Sequence, residues 1–584
     1  MDVEALIQLA PELILLIGAC VALVVGVMKV SQRTQWVSPI TLIVVLLALA
    51  ATLGLGVPEG TDAPPGLWLT SLTFYTRLIA LAMGALIVLV NWHQPVTEER
   101  GEFMAMILFS LLGVLLTASA NDLVVLFFAI ELVSVPTYVL IALSRQDSRA
   151  SEAAVKYFFL GAMAAAIFAY GLSFLYGAAG TTTIYSLADG AAVSRLAFGS
   201  QMGSFALIGL LLVFGGLAFK VAAVPLHVYV ADVYEGAASP VAGMLGFVPK
   251  FAGFVALVKI FAACQWDLPV AVSWMVWVIA AVTMTAGNVL ALLQKNVKRM
   301  LAYSSIAHTG YMLIALLVGP VAGQGPMRDG VAALLFYIAV YGAMNLGAFA
   351  VLAAFKTGDR DVETLDDLAG IAVRAPAAAL AFAICVFSLM GVPPTAGFLG
   401  KLYVFASAFS LDQTHPFRGP LIALAVIGVI NAAIGAAYYL RIAATAYVGK
   451  EVEKAVPTGG APVRWGVALC SIPLLILFAW PSGLTNQARN ATVALHDSIV
   501  SAQASRGLKP ARMSALAAGA RIPSRTQTHR NPLPALAGRD SCPSRDEMGI
   551  SSQRIIQTAS ADGESAPSRA RKEAGSGARL SSAP

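Results

Sequence analysis

Residues 121–143 read NDLVVLFFAIELVSVPTYVLIAL. From Leu123 to Leu143 this run holds a single charged residue, Glu131, and one proline, Pro136, five positions later. About 20 predominantly apolar residues suffice for a helix to cross the hydrocarbon core of a bilayer. The stretch therefore predicts a membrane span with a carboxylate near its middle. Comparable runs occur near 9–28, 37–57, 71–91, 103–120, 156–177, 204–232, 239–261, 270–292, 299–319, 330–354, 376–409, 419–446 and 464–484. The expected fold is all-α and polytopic, with about 14 transmembrane helices. Leu9–Met28 has no basic region before it, so it is expected to be a retained span and not a cleaved leader.

Two of the runs, 204–232 and 376–409, are too long for one straight crossing. Each contains proline among small residues, at Pro225 and at Gly391-Val392-Pro393-Pro394. Proline removes a backbone donor and clashes with the preceding turn. The carbonyls it frees must face protein or water, because lipid offers no donor. Both runs are expected to be broken helices, a device that often marks an ion or substrate site.

Composition sets the same class. Of the 584 residues, 58% are hydrophobic and 12% charged, where a soluble domain carries about 25% charged. A self-contained soluble enzyme is excluded. The net charge of +6 and the pI near 9.0 would suggest a nucleic-acid partner, but the surplus is local. From Arg489 onward lie 14 of the 38 Lys and Arg but 7 of the 32 Asp and Glu. The body is close to neutral, so no nucleic-acid partner is expected. The basic tail, 489–584, is rich in Ser, Arg, Ala, Gly and Pro and is expected to be disordered.

Basic residues in alternate loops number fourteen on one set (Arg145, Lys298, Arg299, Lys356 and Arg464 among them) and three on the other (Arg195, Arg328 and Arg418). Cytoplasmic loops carry the excess, which places the N-terminus and the tail outside. The five cysteines, Cys20, Cys264, Cys385, Cys470 and Cys542, form no CxxC or Cys/His cluster. No metal or iron–sulfur ligation is expected from this chain.

The informative residues are charges deep inside apolar runs. Each costs at least about 2.5–3.5 kcal/mol to insert at mid-bilayer. Lys220 follows 24 uncharged residues and precedes Pro225. Lys250 follows Pro249 directly. Lys401 follows 26 uncharged residues and lies seven beyond Pro394. With Glu131, these make four deep charges, each near a proline. One reading is a buried ion pair that locks helices. The other is a proton relay. An ammonium in a dry interior holds its proton less firmly than in water, and a carboxylate beside it reverses that effect. Moving Glu131 relative to Lys220 would then toggle the lysine, and water-bridged lysines would pass the proton on. Sodium coordination would want clustered carboxylates and carbonyls, which the core lacks.

His227 and His308 lie mid-span and read equally as proton shuttles or as packed, hydrogen-bonded residues. Asp232, Tyr234 and Glu235 are expected at the inner mouth of the first break, or as solvated loop residues. Lys259 and Lys156 sit near span ends and are expected to snorkel. Glu12 and Arg77 are expected to be interfacial anchors. Tyr138-Val-Leu-Ile-Ala-Leu143 echoes Tyr311-Met-Leu-Ile-Ala-Leu316, which together with the two breaks suggests an internal duplication.

Five stretches carry a family resemblance: AIELVSVPTYVLIAL with Glu131, LAFKVAAVPLHVYVADVYEGAASPVAGMLGFVPK with Lys220 and Lys250, YSSIAHTGYML, MGVPPTAGFLGK with Lys401, and the opening Pro11-Glu12-Leu13-Ile14. In this order they resemble the antiporter-like membrane subunits of bacterial respiratory complex I, the NADH-quinone oxidoreductase, over residues 1 to about 485. The lysine at 401, where a sister subunit has glutamate, and the lack of a long apolar helix in the tail favour the N type over M and L. The resemblance implies two inverted five-helix repeats with helices 7 and 12 broken, and a proton relay of Glu131, Lys220, Lys250 and Lys401. It implies organisation as 1–102, a first repeat at 103–261, a second at 262–446, a last helix at 447–488 and the tail. It implies no cofactor here, with FMN, iron–sulfur clusters and quinone in partner subunits. It implies as partners the other membrane subunits of the complex and the lipid bilayer, and as location the bacterial inner membrane. The alternatives are a subunit of a multisubunit Na⁺/H⁺ antiporter, a non-pumping scaffold, and a solute transporter.

Overall fold

The computed structural model of the chain describes residues 3–27, 34–58, 64–94, 99–186, 192–196, 198, 202–321, 324–358, 360–413, 415–449 and 455–504. Among them, twelve helices are long and apolar enough to cross a membrane: Ala10–Val27, Val37–Leu55, Ser71–Val90, Arg100–Ser119, Leu123–Ser144, Ser148–Ala179, Ser239–Ala263, Val270–Leu292, Val297–Val318, Gly330–Ala353, Arg418–Val448 and Gly460–Ala479. The two long runs are broken where their prolines lie. The first forms Ser204–Lys220, an irregular turn and Val230–Gly236. The second forms Pro376–Met390, a turn and Ala396–Ser407. The X–Pro bonds Val224–Pro225 and Pro393–Pro394 are cis.

Helices apolar all round belong in the interior, and Ser239–Ala263 shows this most fully: every one of its residues is buried. Val297–Val318 and Gly330–Ala353 pack beside it and are nearly as enclosed. Among the described residues these three helices are the most enclosed spans and form the axis of the helical body. Several helix starts are capped. Asp122 accepts from Val124 N (2.8 Å), Asp147 from Ala150 N (2.8 Å) and Asn296 from Arg299 N (3.1 Å). Such caps contribute about 1 kcal/mol each.

One face gathers the charges. A small antiparallel sheet joins Phe355–Thr357 to Arg360–Asp361 and to Ala455–Pro457. Beside it, Arg145 pairs with Asp361 and Glu363 (2.8 Å to the latter). Lys298 donates to the backbone oxygens of Glu235 (2.7 Å) and Ala237 (2.6 Å). Arg299 pairs with Asp232 (2.8 Å) and Glu235 (2.7 Å). These basic residues all come from the fourteen-member loop set. Lys29, Arg33, Lys450 and Lys454 of that set lie outside the described residues.

Several sequence expectations need correction. Glu12 and Arg77 are not interfacial anchors. Both are buried, Arg77 to 1% exposure, and the guanidinium grips the carboxylate through Nε (2.8 Å) and Nη2 (2.9 Å) while Nη2 also meets Gln8 O (3.1 Å). Lys259 does not snorkel. It is buried and donates to Ala118 O at 2.6 Å, near the end of Arg100–Ser119. Lys156 is exposed and pairs with Glu152 (2.7 Å) and Asp232 (3.3 Å). Of the expected disordered tail, 489–504 instead continue the helix Ser482–Ala504, and 505–584 lie outside the described residues. Ala488 and Ala491 of that helix are buried, and Thr492 Oγ donates to Asp329 Oδ2 (3.0 Å). Small side chains three residues apart give it an apolar stripe that the composition of the tail hides.

Asp329 also caps Gly330–Ala353 by accepting from Ala332 N (2.8 Å). Burial pushes its carboxyl up to about 6, from an ordinary value near about 3.9. The folded state therefore binds this proton more tightly than the unfolded chain does. The contribution to stability is complete below about pH 4 and is lost as pH rises through about 6. Limited proteolysis within 482–504 is expected to be slower at about pH 5 than at about pH 8, and Asp329→Asn is expected to flatten that difference. An unchanged pH dependence in the Asn variant would sink this assignment.

Candidate functional site: a buried row of ionisable side chains

The row starts on Leu123–Ser144, where Glu131 lies one turn before Ser134. Lys220 is the last residue of Ser204–Lys220. Its Nζ donates to Glu131 Oε1 (3.0 Å) and Ser134 Oγ (2.7 Å). The ammonium is buried at 4% exposure, whereas the Glu131 side chain retains 19%. The pair thus sits with its acid toward the outside of the chain and its base within. The break after Lys220 leaves helix-end carbonyls that need donors. Phe219 O receives Tyr229 Oη (2.8 Å), Ala218 O receives Ala223 N (2.8 Å), and Val221 O receives Thr309 Oγ1 (2.6 Å).

Lys250 lies one turn or more inside the fully buried Ser239–Ala263 helix. Its Nζ donates to Ser305 O (2.5 Å) and Thr309 Oγ1 (3.0 Å), with the Tyr341 ring centre 5.8 Å away. Tyr341 Oη donates in turn to Ser305 Oγ (2.7 Å). His308, on the same helix as Ser305 and Thr309, stands between two phenols. Its Nδ1 is 2.6 Å from Tyr337 Oη and its Nε2 3.1 Å from Tyr439 Oη. Tyr439 also bonds Ser304.

Lys401 lies beyond the second break, on Ala396–Ser407, and reaches back across it. Its Nζ donates to Leu389 O (2.9 Å) and Met390 O (2.8 Å), and lies 5.3 Å from the Tyr311 ring centre. A cation at the carbonyl end of a helix is favoured by the helix dipole. Gly391 makes this fold-back feasible. Its φ is +84°, and a Cβ there would meet Lys401 Cδ at 2.8 Å. Gly391→Ala is expected to cost about 1–2 kcal/mol for the backbone alone and to displace Lys401 from both carbonyls. The check is thermal stability together with proton transport in the assembled protein. An Ala variant unchanged in both would refute this.

The structure therefore brings Glu131 and Lys220 together, places Lys250 and His308 on adjoining elements of the axis, and sets Lys401 at the second break. His227 is different. It lies half-buried in the irregular turn between Ser204–Lys220 and Val230–Gly236, beside the Pro225 backbone. No hydrogen bond of the row involves it among the described residues. Asp232 and Glu235 line, with Arg149, Glu152 and Lys156, a cavity of about 310 Å³ on the charged face, while Tyr234 is buried. Sequence reasoning missed Ser134, Ser305, Thr309, Tyr337 and Tyr439. Neutral polar residues are common in spans, and these find partners far along the chain. Among the described residues no group of three or more His, Cys, Asp or Glu is placed to hold a metal ion.

Fold and site define a polytopic helical membrane protein built around a buried line of acid, lysines and histidine. A family model described as NADH:quinone oxidoreductase/Mrp antiporter, TM, matches residues 120–434, a span that contains the whole row. The NADH-quinone oxidoreductase subunit N of Rhodospirillum rubrum is 36% identical over 496 residues, covering 83% of this chain and 96% of the relative. Among solved structures, a chain of respiratory complex I from Thermus thermophilus with bound aureothin is similar with a TM-score of 0.67 at 30% identity, over 82% of this chain and 99% of that one. A chain of the Mrp complex from Dietzia sp. shares the fold, with a TM-score of 0.72 at 21% identity, over 86% and 99%. The chain belongs to the NADH:quinone oxidoreductase/Mrp antiporter transmembrane family, among the subunit N proteins.

Proposed function

We propose that the chain is a membrane-arm subunit of a proton-pumping NADH-quinone oxidoreductase, and that it carries protons along Glu131, Lys220, Lys250, His308 and Lys401. The observation that carries the reading is the Glu131–Lys220 contact at 3.0 Å, set at a helix break and continued by buried bases along the axis. A carboxylate at 3 Å holds an ammonium in its charged form, and withdrawing it makes the proton available. Protons enter from the cavity beside Asp232 and Glu235, load Lys220, pass to Lys250 and through the His308 phenols, and leave from Lys401.

The electrons flow elsewhere. FMN, iron–sulfur clusters and quinone belong to partner subunits, and this chain supplies the translocating half of the coupled reaction. Its neighbours are the other membrane subunits of the complex and the lipid bilayer. We place it in the bacterial inner membrane, with fourteen crossings, both termini periplasmic, and two inverted repeats at 103–261 and 262–446.

The test is proton pumping and quinone reduction by the assembled complex carrying Lys220→Ala or Lys401→Ala. Pumping is expected to be lost at normal complex abundance. Wild-type pumping in both variants would overturn the relay, and pumping that required sodium would assign the row to Na⁺/H⁺ exchange instead.

A further inference from the structure

One side chain touches both the first break and the central lysine. Thr309 Oγ1 donates to Val221 O (2.6 Å) and accepts from Lys250 Nζ (3.0 Å), with Ser305 O at 3.3 Å as a weaker acceptor. Thr309 and Val221 are fully buried, and Lys250 nearly so. Val221 directly follows Lys220 and caps the helix that carries it. The next residue, Ala222, has a φ of +61°, a conformation that is unfavourable for a non-glycine residue and persists only where surroundings hold it. The break is thus a strained backbone, and Thr309 supplies the donor that holds its carbonyl.

A hydroxyl has one hydrogen and two acceptor lone pairs. While Lys250 is an ammonium, it has donors only, so the Thr309 hydrogen is free for Val221 O. A neutral Lys250 amine gains a lone pair 3.0 Å from the same oxygen, and that lone pair competes for the hydrogen. When the hydroxyl turns to the amine, Val221 O is left without its donor in a dry interior, which destabilises the break.

We propose that Thr309 is a positioning residue whose rotating hydroxyl couples the proton on Lys250 to the backbone at the break that carries Lys220. Loading Lys250 fastens the break, and unloading it loosens the segment from which Lys220 reaches Glu131. The coupling is reciprocal: a shift at the Glu131–Lys220 pair alters how Thr309 receives Lys250. This inference rests on the relay reading above and adds to it a link between its first two bases, made through Thr309 and the backbone at the break.

The experiment compares Thr309→Val, which keeps shape and removes the hydroxyl, with Thr309→Ser, which keeps the hydroxyl. Both are measured in the intact complex reconstituted into liposomes, as proton uptake and NADH-driven quinone reduction per assembled complex. Pumping is expected to fall about fivefold in the Val variant, the size that one buried hydrogen bond supports, and to stay within about twofold of wild type in the Ser variant. Thr309→Ala, which cannot clash, is measured beside Val and must agree with it. Wild-type pumping by Val or Ala overturns the proposal, as does a Ser variant as defective as Val. Lys220→Ala separates the two levels. If it abolishes pumping while Thr309→Val does not, the relay stands and this link falls. If it pumps normally, the relay itself falls.

Discussion

Replacing Glu131 by Gln is expected to reduce proton pumping at least about tenfold, and replacing Lys220 by Met at the same time is expected to restore stability without restoring pumping. The argument follows from the geometry of the pair. Lys220 Nζ has two side-chain partners, Glu131 and Ser134, and only the first carries charge. Removing that charge leaves an ammonium buried without compensation, which costs about 3–5 kcal/mol. Charge-assisted hydrogen bonds contribute about 1.5–3 kcal/mol, or tenfold and more in an equilibrium. A methionine at 220 removes the orphaned charge while filling a similar space. The Glu131→Gln/Lys220→Met protein is therefore expected to melt near wild type and to pump nothing. This double substitution separates a relay from a lock, because a lock survives replacement by an uncharged pair of similar size and a relay does not. Wild-type pumping in the double variant would reduce the pair to a structural clasp.

The second large effect concerns a pair with no place in the row. Arg77→Ala is expected to lower stability by about 3–5 kcal/mol, since it leaves the Glu12 carboxyl enclosed without its partner. The Glu12→Leu/Arg77→Met double substitution is expected to recover to within about 1 kcal/mol of wild type, as buried ion pairs replaced by apolar residues of similar size are often neutral or better. Thermal unfolding of the detergent-extracted protein checks both. A double variant as unstable as Arg77→Ala would show that the remaining bond, from Arg77 to Gln8 O at 3.1 Å, carries the stability.

The residues that were legible in the sequence share a physical trait. Glu131, Lys220, Lys250 and Lys401 stand out because a charge within an apolar run carries a cost that something must offset. The breaks were legible because proline forbids a continuous helix at Pro225 and at Pro393-Pro394. What remained hidden was pairing. Arg77 and Glu12 lie 65 residues apart, and each alone reads as an ordinary end-of-span charge. Lys259 sits near the end of its helix, as a snorkelling residue does, yet its partner is a carbonyl 141 positions away. Thr309 and Tyr337 are neutral, so no insertion cost marks them. His227 and His308 were equivalent in sequence, and only packing sets one between two phenols and leaves the other in a turn.

The hold of Lys401 on Leu389 O and Met390 O makes its ammonium part of the scaffold. A fifteen-residue helix, Pro376–Met390, ends inside the protein just before the two prolines, and a positive charge sits over its last carbonyls. A base that gives up a proton there also gives up the plug on that helix end. In the relay proposed above, each departure is a mechanical event that stitches and unstitches this segment once per turnover.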